Sequence, residues 1–454
     1  MKLVAVSGGL ALAAALAGCV GPGLYTREQS LAQRLEASAP AVALAPLEPD
    51  DDPFRGHASL ERAALIREAL RRNPGLESAR SAWRAALARY PQETALEDPM
   101  LDAAIGPRSF GSDEVDPGFR VGLSQALPFP GKRRLRGEVA LAEAEASSQE
   151  FEEARLQLAA TASLLFDEYY LAARSRERNA SHQAFVEELS KVTLSRYESG
   201  SASQQDALLA EAELAELLHR SVLLETAQRR AAERINTLLH RPPELPLPPP
   251  PATLAAPAMQ AIDTAALTEK ALAERPELRA ARARVAAREQ AVALARREYF
   301  PDFTLSGSYD RFWQEKPLQP MLGLAVNVPL QLGRRSGALE QARAELAGAR
   351  SDAQRAEDAV RFAVASGVDR LGEAHHLVDL ARDRMLPVAR DRLAASRAAF
   401  ESGQGSFLEL IDAERGLRSA ELASEEAVVM LWRRHTELDR ATADFTQLES
   451  GVRP

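Results

Sequence analysis

A single cysteine, Cys19, occurs among 454 residues, so no disulfide can close within the chain. Aromatic residues reach only 5%. That is too few for a core of large side chains, and the long stretches rich in Ala, Leu, Glu and Arg favour extended helices instead. The apolar run Leu3 to Leu16 is too short to cross a bilayer comfortably as a helix. An excess of positive charge is also missing: the formal net charge of -9 argues against a nucleic-acid partner. Chemistry-bearing motifs are absent too. Gly131-Lys132 lacks the upstream glycine spacing of a phosphate loop, and the adjacent His375 and His376 point in different directions on a helix with no companion at metal-site spacing. The chain therefore reads as a non-enzyme, with no catalytic residues, no metal ligands and no cofactor.

What is present begins with a targeting signal. Lys2, the apolar run and the sequence Leu16-Ala17-Gly18-Cys19 form a signal peptide over residues 1–18. The last four residues resemble a bacterial lipobox, in which the cysteine is acylated and becomes the mature N-terminus. Cys19 is thus the expected lipidation site, and Val20, in place of an aspartate, resembles lipoproteins sent on to the outer membrane. Acyl chains there would act as an anchor.

Residues 19–58 are irregular and carry Pro40, Pro46, Pro49 and Pro53, as an extended arm would. A Pro-rich linker over 241–260 divides the remainder, and the same plan stands on both sides of it. Asn73-Pro74-Gly75-Leu76 matches Arg275-Pro276-Glu277-Leu278. Gly122-Leu123, Pro128 and Gly131-Lys132-Arg133 match Gly323-Leu324, Pro329 and Gly333-Arg334-Arg335. Tyr197-Glu198-Ser199-Gly200 matches Phe400-Glu401-Ser402-Gly403. A period of roughly 200 residues makes the chain a tandem duplication, with repeats over 59–240 and 261–446 and a tail over 447–454.

Each repeat reads as helix, strand pair, very long helix, tip and returning helix. Between Gly137 and Gly200 no Gly or Pro occurs, and one continuous helix there would extend about 90 Å. The return segment carries a seam at Ala207, Ala210, Leu214, Leu217, Ser221, Leu224, Gln228, Ala231, Ile235 and Leu238, with coiled-coil spacing. In the second repeat Pro387 predicts a bend. Strand pairs are expected at about 99–128 and 302–329. Leu101, Ala103 and Ile105, then Phe119, Val121, Leu123 and Leu127, then Phe303, Leu305 and Tyr309, then Leu322, Leu324, Val326 and Val328 alternate with small or polar residues. Apolar outward and small or polar inward is the polarity of a water-filled barrel; two amphipathic hairpins packed on helices would alternate in the same way. Four strands cannot close around a channel, and lipid tolerates no open edge. Three copies would supply about twelve strands.

Over roughly Leu60 to Asp444 the sequence resembles the TolC-like outer-membrane efflux family. Gln125-Ala126-Leu127-Pro128-Phe129-Pro130-Gly131-Lys132-Arg133 is similar to the strand-to-helix junction of the branch serving heavy-metal efflux of the resistance-nodulation-division (RND) class. The segments Tyr197 to Ser203 and Phe400 to Ser406 resemble that family's two periplasmic helix-turn-helix tips. The resemblance implies a mainly α fold with a β-barrel part: a long coiled-coil barrel and four transmembrane strands per chain, closed as a twelve-stranded barrel in a homotrimer. It further implies an outer-membrane location with the helical barrel extending into the periplasm. The partners would be outer-membrane lipid, a periplasmic adaptor (membrane fusion) protein and an inner-membrane pump of RND type, with heavy-metal cations or drugs as cargo.

The tips, at about 197–206 and 400–409, would meet the adaptor through Gly200, Ser203, Gly403 and Ser406. Glu409 and Asp412 align with the acidic residues ringing the family's periplasmic aperture; their spacing of three puts both on one helical face, as a solvated surface would also require. The likeness departs at Phe400 and Gly405, where the family's namesake has tyrosine and arginine. Lys132, Arg133, Arg134 and Arg136 suit either anionic headgroups or a solvated helix start. A lipid-anchored coiled-coil spacer without a pore is the alternative function, and it leaves the four alternating segments without a role.

Overall fold

The computed structural model describes residues 22–38, 53–259 and 261–444. The elements in order are α1 (Pro22–Ala37), α2 (Arg62–Arg72), α3 (Pro74–Leu87), α4 (Arg89–Thr94), β1 (Met100–Ile105), β2 (Phe119–Leu127), α5 (Lys132–Glu198) and α6 (Gln204–Leu238). After the proline-rich stretch follow α7 (Thr264–Glu274), α8 (Pro276–Arg297), β3 (Phe303–Asp310), β4 (Pro320–Val326), α9 (Leu332–Leu380), α10 (Leu386–Glu401) and α11 (Phe407–Ala441). The internal duplication is therefore structural. Asn73 and Arg275 both cap the end of a short helix with ψ near 120°, and Pro74 and Pro276 start the next one, where a missing N–H costs nothing.

Helix α5 is continuous over 67 residues, about 100 Å of rise. All ten seam residues named above on the returning helix, Ala207 to Leu238, are buried or half-buried. The break expected at Pro387 takes the form of a π-helical turn over Ala381–Met385, between α9 and α10. A proline ring clashes with the carbonyl four residues upstream, and a wider turn relieves that contact.

The described residues form two compact units, each drawing on both repeats. One takes residues 22–38, 79–151 and 277–356. Its four strands form one antiparallel sheet in the order β1-β2-β3-β4, leaving β1 and β4 as edges. In the same unit, Trp83 and Phe151 pack with ring centres 5.8 Å apart. Arg34 of α1 lies over the Trp83 ring at 5.7 Å and pairs with Glu145 of α5 at 3.2 Å.

The other unit takes its described residues from 53–78, 152–276 and 357–444. Its main core gathers Leu65, Ile66, Leu156, Phe166, Tyr170 and Ile235. The proline-rich stretch is tied to this core through its carbonyls, which proline retains although it lacks a donor. Pro249 O accepts from Leu60 N at 2.8 Å, Pro248 O from the Tyr169 hydroxyl at 3.1 Å, and Pro243 O from Asn236 at 2.9 Å. Gly367 lets α9 approach α11, since a Cβ there would stand 3.1 Å from Leu438 Cδ1.

Candidate functional site

The strand register sorts the four alternating segments onto two faces. Leu101 stands opposite Leu123, Val121 opposite Tyr309, Leu127 opposite Phe303, and Leu305 opposite Leu324. All of these lie on one face, because directly paired residues share a side of the sheet. The other face pairs Asp102 with Gly122, Arg120 with Asp310, Ser124 with Ser306, and Ser306 with Gly323. Glycine here makes room: a Cβ on Gly122 would clash with the Asp102 carboxylate, and one on Gly323 would meet the Ser306 hydroxyl at 2.5 Å. The apolar face is exposed, with Leu322 at 92% and Leu101 at 74%. An apolar outer face of this size calls for a nonpolar surrounding.

Where β2 leads into α5, Lys132 is 1% exposed. Its ammonium donates to Asp302 Oδ1 at 2.9 Å and Oδ2 at 3.0 Å and to the Phe300 carbonyl at 3.1 Å, with Glu298 at 3.2 Å. Phe129 N also donates to Asp302, at 2.7 Å. Arg133 donates to the Thr94 carbonyl and Arg134 to Glu138. The headgroup reading therefore fails for Lys132, whose charge is already neutralised inside the protein.

The two tips, both within one unit, are built alike. Each preceding helix ends on a glycine with φ +74, Gly200 and Gly403. Gly200 N donates to Tyr197 O and Ser201 N to Arg196 O; Gly403 N donates to Phe400 O and Gln404 N to Ala399 O. This is the left-handed C-terminal turn that satisfies the last helical carbonyls. Each following helix then opens with a capping box. The Ser203 hydroxyl accepts from Asp206 N while Asp206 accepts from Ser203 N, and Ser406 and Glu409 do the same. Phe400 and Phe407 pack at 5.7 Å, and Arg196 lies 4.5 Å over the Phe400 ring.

Glu409 and Asp412 are both exposed and lie on the first turns of α11. Glu409 caps its own helix, its Oε2 accepting from Ser406 N at 3.1 Å. Asp412 stands 3.8 Å from Arg415. Deeper along the same helices lies a charged layer that no periodicity announced. Glu213, 1% exposed, accepts from Arg415 at 2.8 Å and Arg418 at 2.9 Å, and Glu414, fully buried, stands 2.7 Å from His182. Burial acts against the Glu213 charge, but the two guanidiniums outweigh it and hold its carboxyl below the usual range. A glutamate beside a seam position looks the same in sequence whether it is solvated or paired.

Cys19 lies outside the described residues. Among the described residues no three His, Cys, Asp or Glu side chains converge as a metal site requires, and no helix is long and apolar enough to cross a membrane. His375 instead packs edge-on to His435 at 5.7 Å.

Residues 267–442 match the family described as outer membrane efflux protein. That match covers the greater part of the second repeat. The chain is 24% identical over 335 residues to nodulation protein T of Rhizobium leguminosarum bv. viciae, covering 71% of this chain and 68% of that protein. Its fold matches a crystal structure of a membrane protein from Pseudomonas aeruginosa with a TM-score of 0.73 and 19% identity, covering 89% of this chain and 95% of that one. It also matches the open state of the Neisseria gonorrhoeae MtrE outer membrane channel with a TM-score of 0.69 and 21% identity, covering 84% and 88%. At such identities the structural likeness is one of fold. The mainly helical fold with four strands expected from the sequence is borne out.

Proposed function

We propose that three copies of this chain form the outer-membrane duct of a tripartite efflux system, passively passing cargo delivered by a periplasmic adaptor and an inner-membrane pump. The observation that carries the reading is the four-stranded sheet. It has one exposed apolar face, one small and polar face, and two unpartnered edges. In lipid such edges must be paired, and symmetry lets other copies pair them. Twelve strands then enclose a lumen lined by the small and polar face, and the long helices continue it through the periplasm.

In this reading Cys19 carries the lipid anchor. Gly200, Ser203, Gly403 and Ser406 present the tips to the adaptor, which reads two almost identical turns from each copy. Glu409 and Asp412 line the resting aperture as rings of carboxylates. The junction Pro130-Gly131-Lys132-Arg133 favours heavy-metal cations as cargo and a pump of RND type, with drugs as the other class.

The test is reconstitution. Protein extracted in mild detergent is expected to run as a trimer by native mass spectrometry, and to give ion conductance in planar bilayers that rises when the tip turns are loosened by substitution. A monomer that conducts nothing, and that fails to restore efflux to a strain lacking the gene, would overturn the duct.

A further inference from the structure

The internal duplication specifies how neighbouring copies join. Within the chain the two repeats meet where β2 pairs with β3, and Lys132 locks that seam onto Asp302. A second seam of the same kind, β4 against β1, is left open because these are the two edge strands.

The residues equivalent to Lys132 and Asp302 can be derived from the register. Gly122-Leu123 corresponds to Gly323-Leu324, so Ser124 corresponds to Ala325. Ser124 stands opposite Met100, and Ala325 stands opposite Thr304. Met100 therefore corresponds to Thr304, and two residues upstream Asp98 corresponds to Asp302. An independent contact agrees. Arg133 Nε donates to the Thr94 carbonyl at 2.8 Å, and its counterpart Arg335 Nε donates to the Glu298 carbonyl at 2.8 Å. Thr94 and Glu298 lie four residues before Asp98 and Asp302 respectively. On the other side, Gly131-Lys132-Arg133 corresponds to Gly333-Arg334-Arg335, so Arg334 is the counterpart of Lys132.

Lys132 is buried in its pair, whereas Asp98 and Arg334 are exposed, and neither side chain makes a hydrogen bond or ion pair with any described residue. Both members of the second lock are thus present, with complementary charge, on opposite open edges of one sheet. The apolar contact beside the lock has its counterpart as well. Phe129 stacks on Phe300 at 4.7 Å, and the equivalent positions hold Leu330, 81% exposed, and Leu96.

The geometry points to an intersubunit lock: Arg334 of one copy pairs with the Asp98 carboxylate of the next, and β4 joins the neighbour's β1 in a fixed antiparallel register. This rests on the trimeric closure proposed above and names the contact that achieves it. Carrying the β2–β3 register across places Leu322 opposite Ile105 of the neighbouring copy, Leu324 opposite its Ala103 and Val326 opposite its Leu101. Every one of these pairs keeps the apolar face continuous. A slip of one residue would turn the neighbour's whole polar face towards lipid, so the register is held by burial as well as by the ion pair. The guanidinium of Arg334, longer and more forked than the Lys132 ammonium, can span both oxygens of a carboxylate.

The test keeps the full chain and native Cys19 and uses trimer formation as the first readout. Leu322→Cys combined with Ile105→Cys is expected to give oxidised dimers and trimers, with roughly tenfold more product than a one-residue slip, Gly323→Cys with Ile105→Cys. For the lock itself, Arg334→Asp and Asp98→Arg are each expected to lower the temperature at which the trimer dissociates. The double reversal should recover most of the loss. Equal cross-linking of the slipped pair would overturn the register, and a double reversal no better than either single would overturn the ion pair. A chain that is monomeric throughout would instead refute the trimeric duct, so the two failures are distinguishable.

Discussion

The imidazole Nδ1 of His182 on α5 stands 2.7 Å from a carboxylate oxygen of Glu414 on α11, while its Nε2 lies 3.1 Å from Glu421 on the same helix. The ring is nearly buried, and it bridges one helical hairpin to the other. Burial pulls the imidazole pKa down, but the hydrogen bonds to Glu414 and Glu421 and their charges outweigh it and raise the value to about 9. The His182 hydrogen bond is the main reason the Glu421 carboxyl lies below its usual range.

The pH dependence follows with a definite sign. A folded pKa above the unfolded one means stability that is complete below about 6.5 and lost as pH rises through about 9. The contribution is on the order of 3 kcal/mol. Thermal melts from pH 6 to pH 10 should show the wild type losing stability over that window. His182→Gln is expected to start lower and to change less. Parallel profiles for the two would remove His182 from the account.

At the strand-to-helix junction, Asp302→Asn leaves the buried Lys132 ammonium with Glu298 as its one carboxylate partner. Breaking a buried pair costs about 3–5 kcal/mol, and the partial exposure of Asp302 places the loss near the lower end. Lys132→Met with Asp302→Leu should be better tolerated than Asp302→Asn alone, because no unpaired charge remains. Urea denaturation of the three proteins measures the difference. A single variant as stable as wild type would show that the pair holds nothing together.

The tips separate structural from functional roles. Ser406→Ala removes a cap worth about 1 kcal/mol, and Gly403→Val forces a branched side chain into a left-handed turn at a cost of about 1–2 kcal/mol. Neither cost exceeds what a trimer can absorb, so cross-linking to the adaptor is expected to fall while the trimer persists. Full cross-linking and full efflux in both variants would count against the docking role.

Glu409→Gln preserves the capping box, since glutamine accepts the same hydrogen bond, yet it removes the charge. Combined with Asp412→Asn it should leave thermal stability within about 0.5 kcal/mol of wild type while lowering cation preference in planar bilayers. The effect should fade as salt rises. Unaltered selectivity would leave Glu409 as a cap and Asp412 as a solvated partner of Arg415.

Labelled palmitate should enter the wild type and be lost in Cys19→Ser, because no other cysteine exists to accept it. Trimers are still expected in that variant, since strand pairing needs no anchor. Equal labelling of both proteins would refute Cys19 as the acylation site.

Much of this chain was legible without coordinates, because its signals are periodic. Alternation along Phe119 to Leu127 and Phe303 to Tyr309 selects a strand and assigns its faces, and the run from Gly137 to Gly200 without Gly or Pro permits only a rod. The duplicated glycines Gly200 and Gly403 mark the turns because positive φ is cheap only there. Tertiary structure alone decided which charges are solvated and which are paired. Lys132 reads as one member of a basic cluster, yet it is buried on Asp302. Glu213 reads as one more acid on a helix, yet it is buried against Arg415 and Arg418. His182 and Glu414 lie far apart in sequence and meet only when the hairpins pack side by side. The physical reason is that local periodicity is set by backbone geometry and water, whereas the state of a charge depends on partners that the chain brings near only by folding.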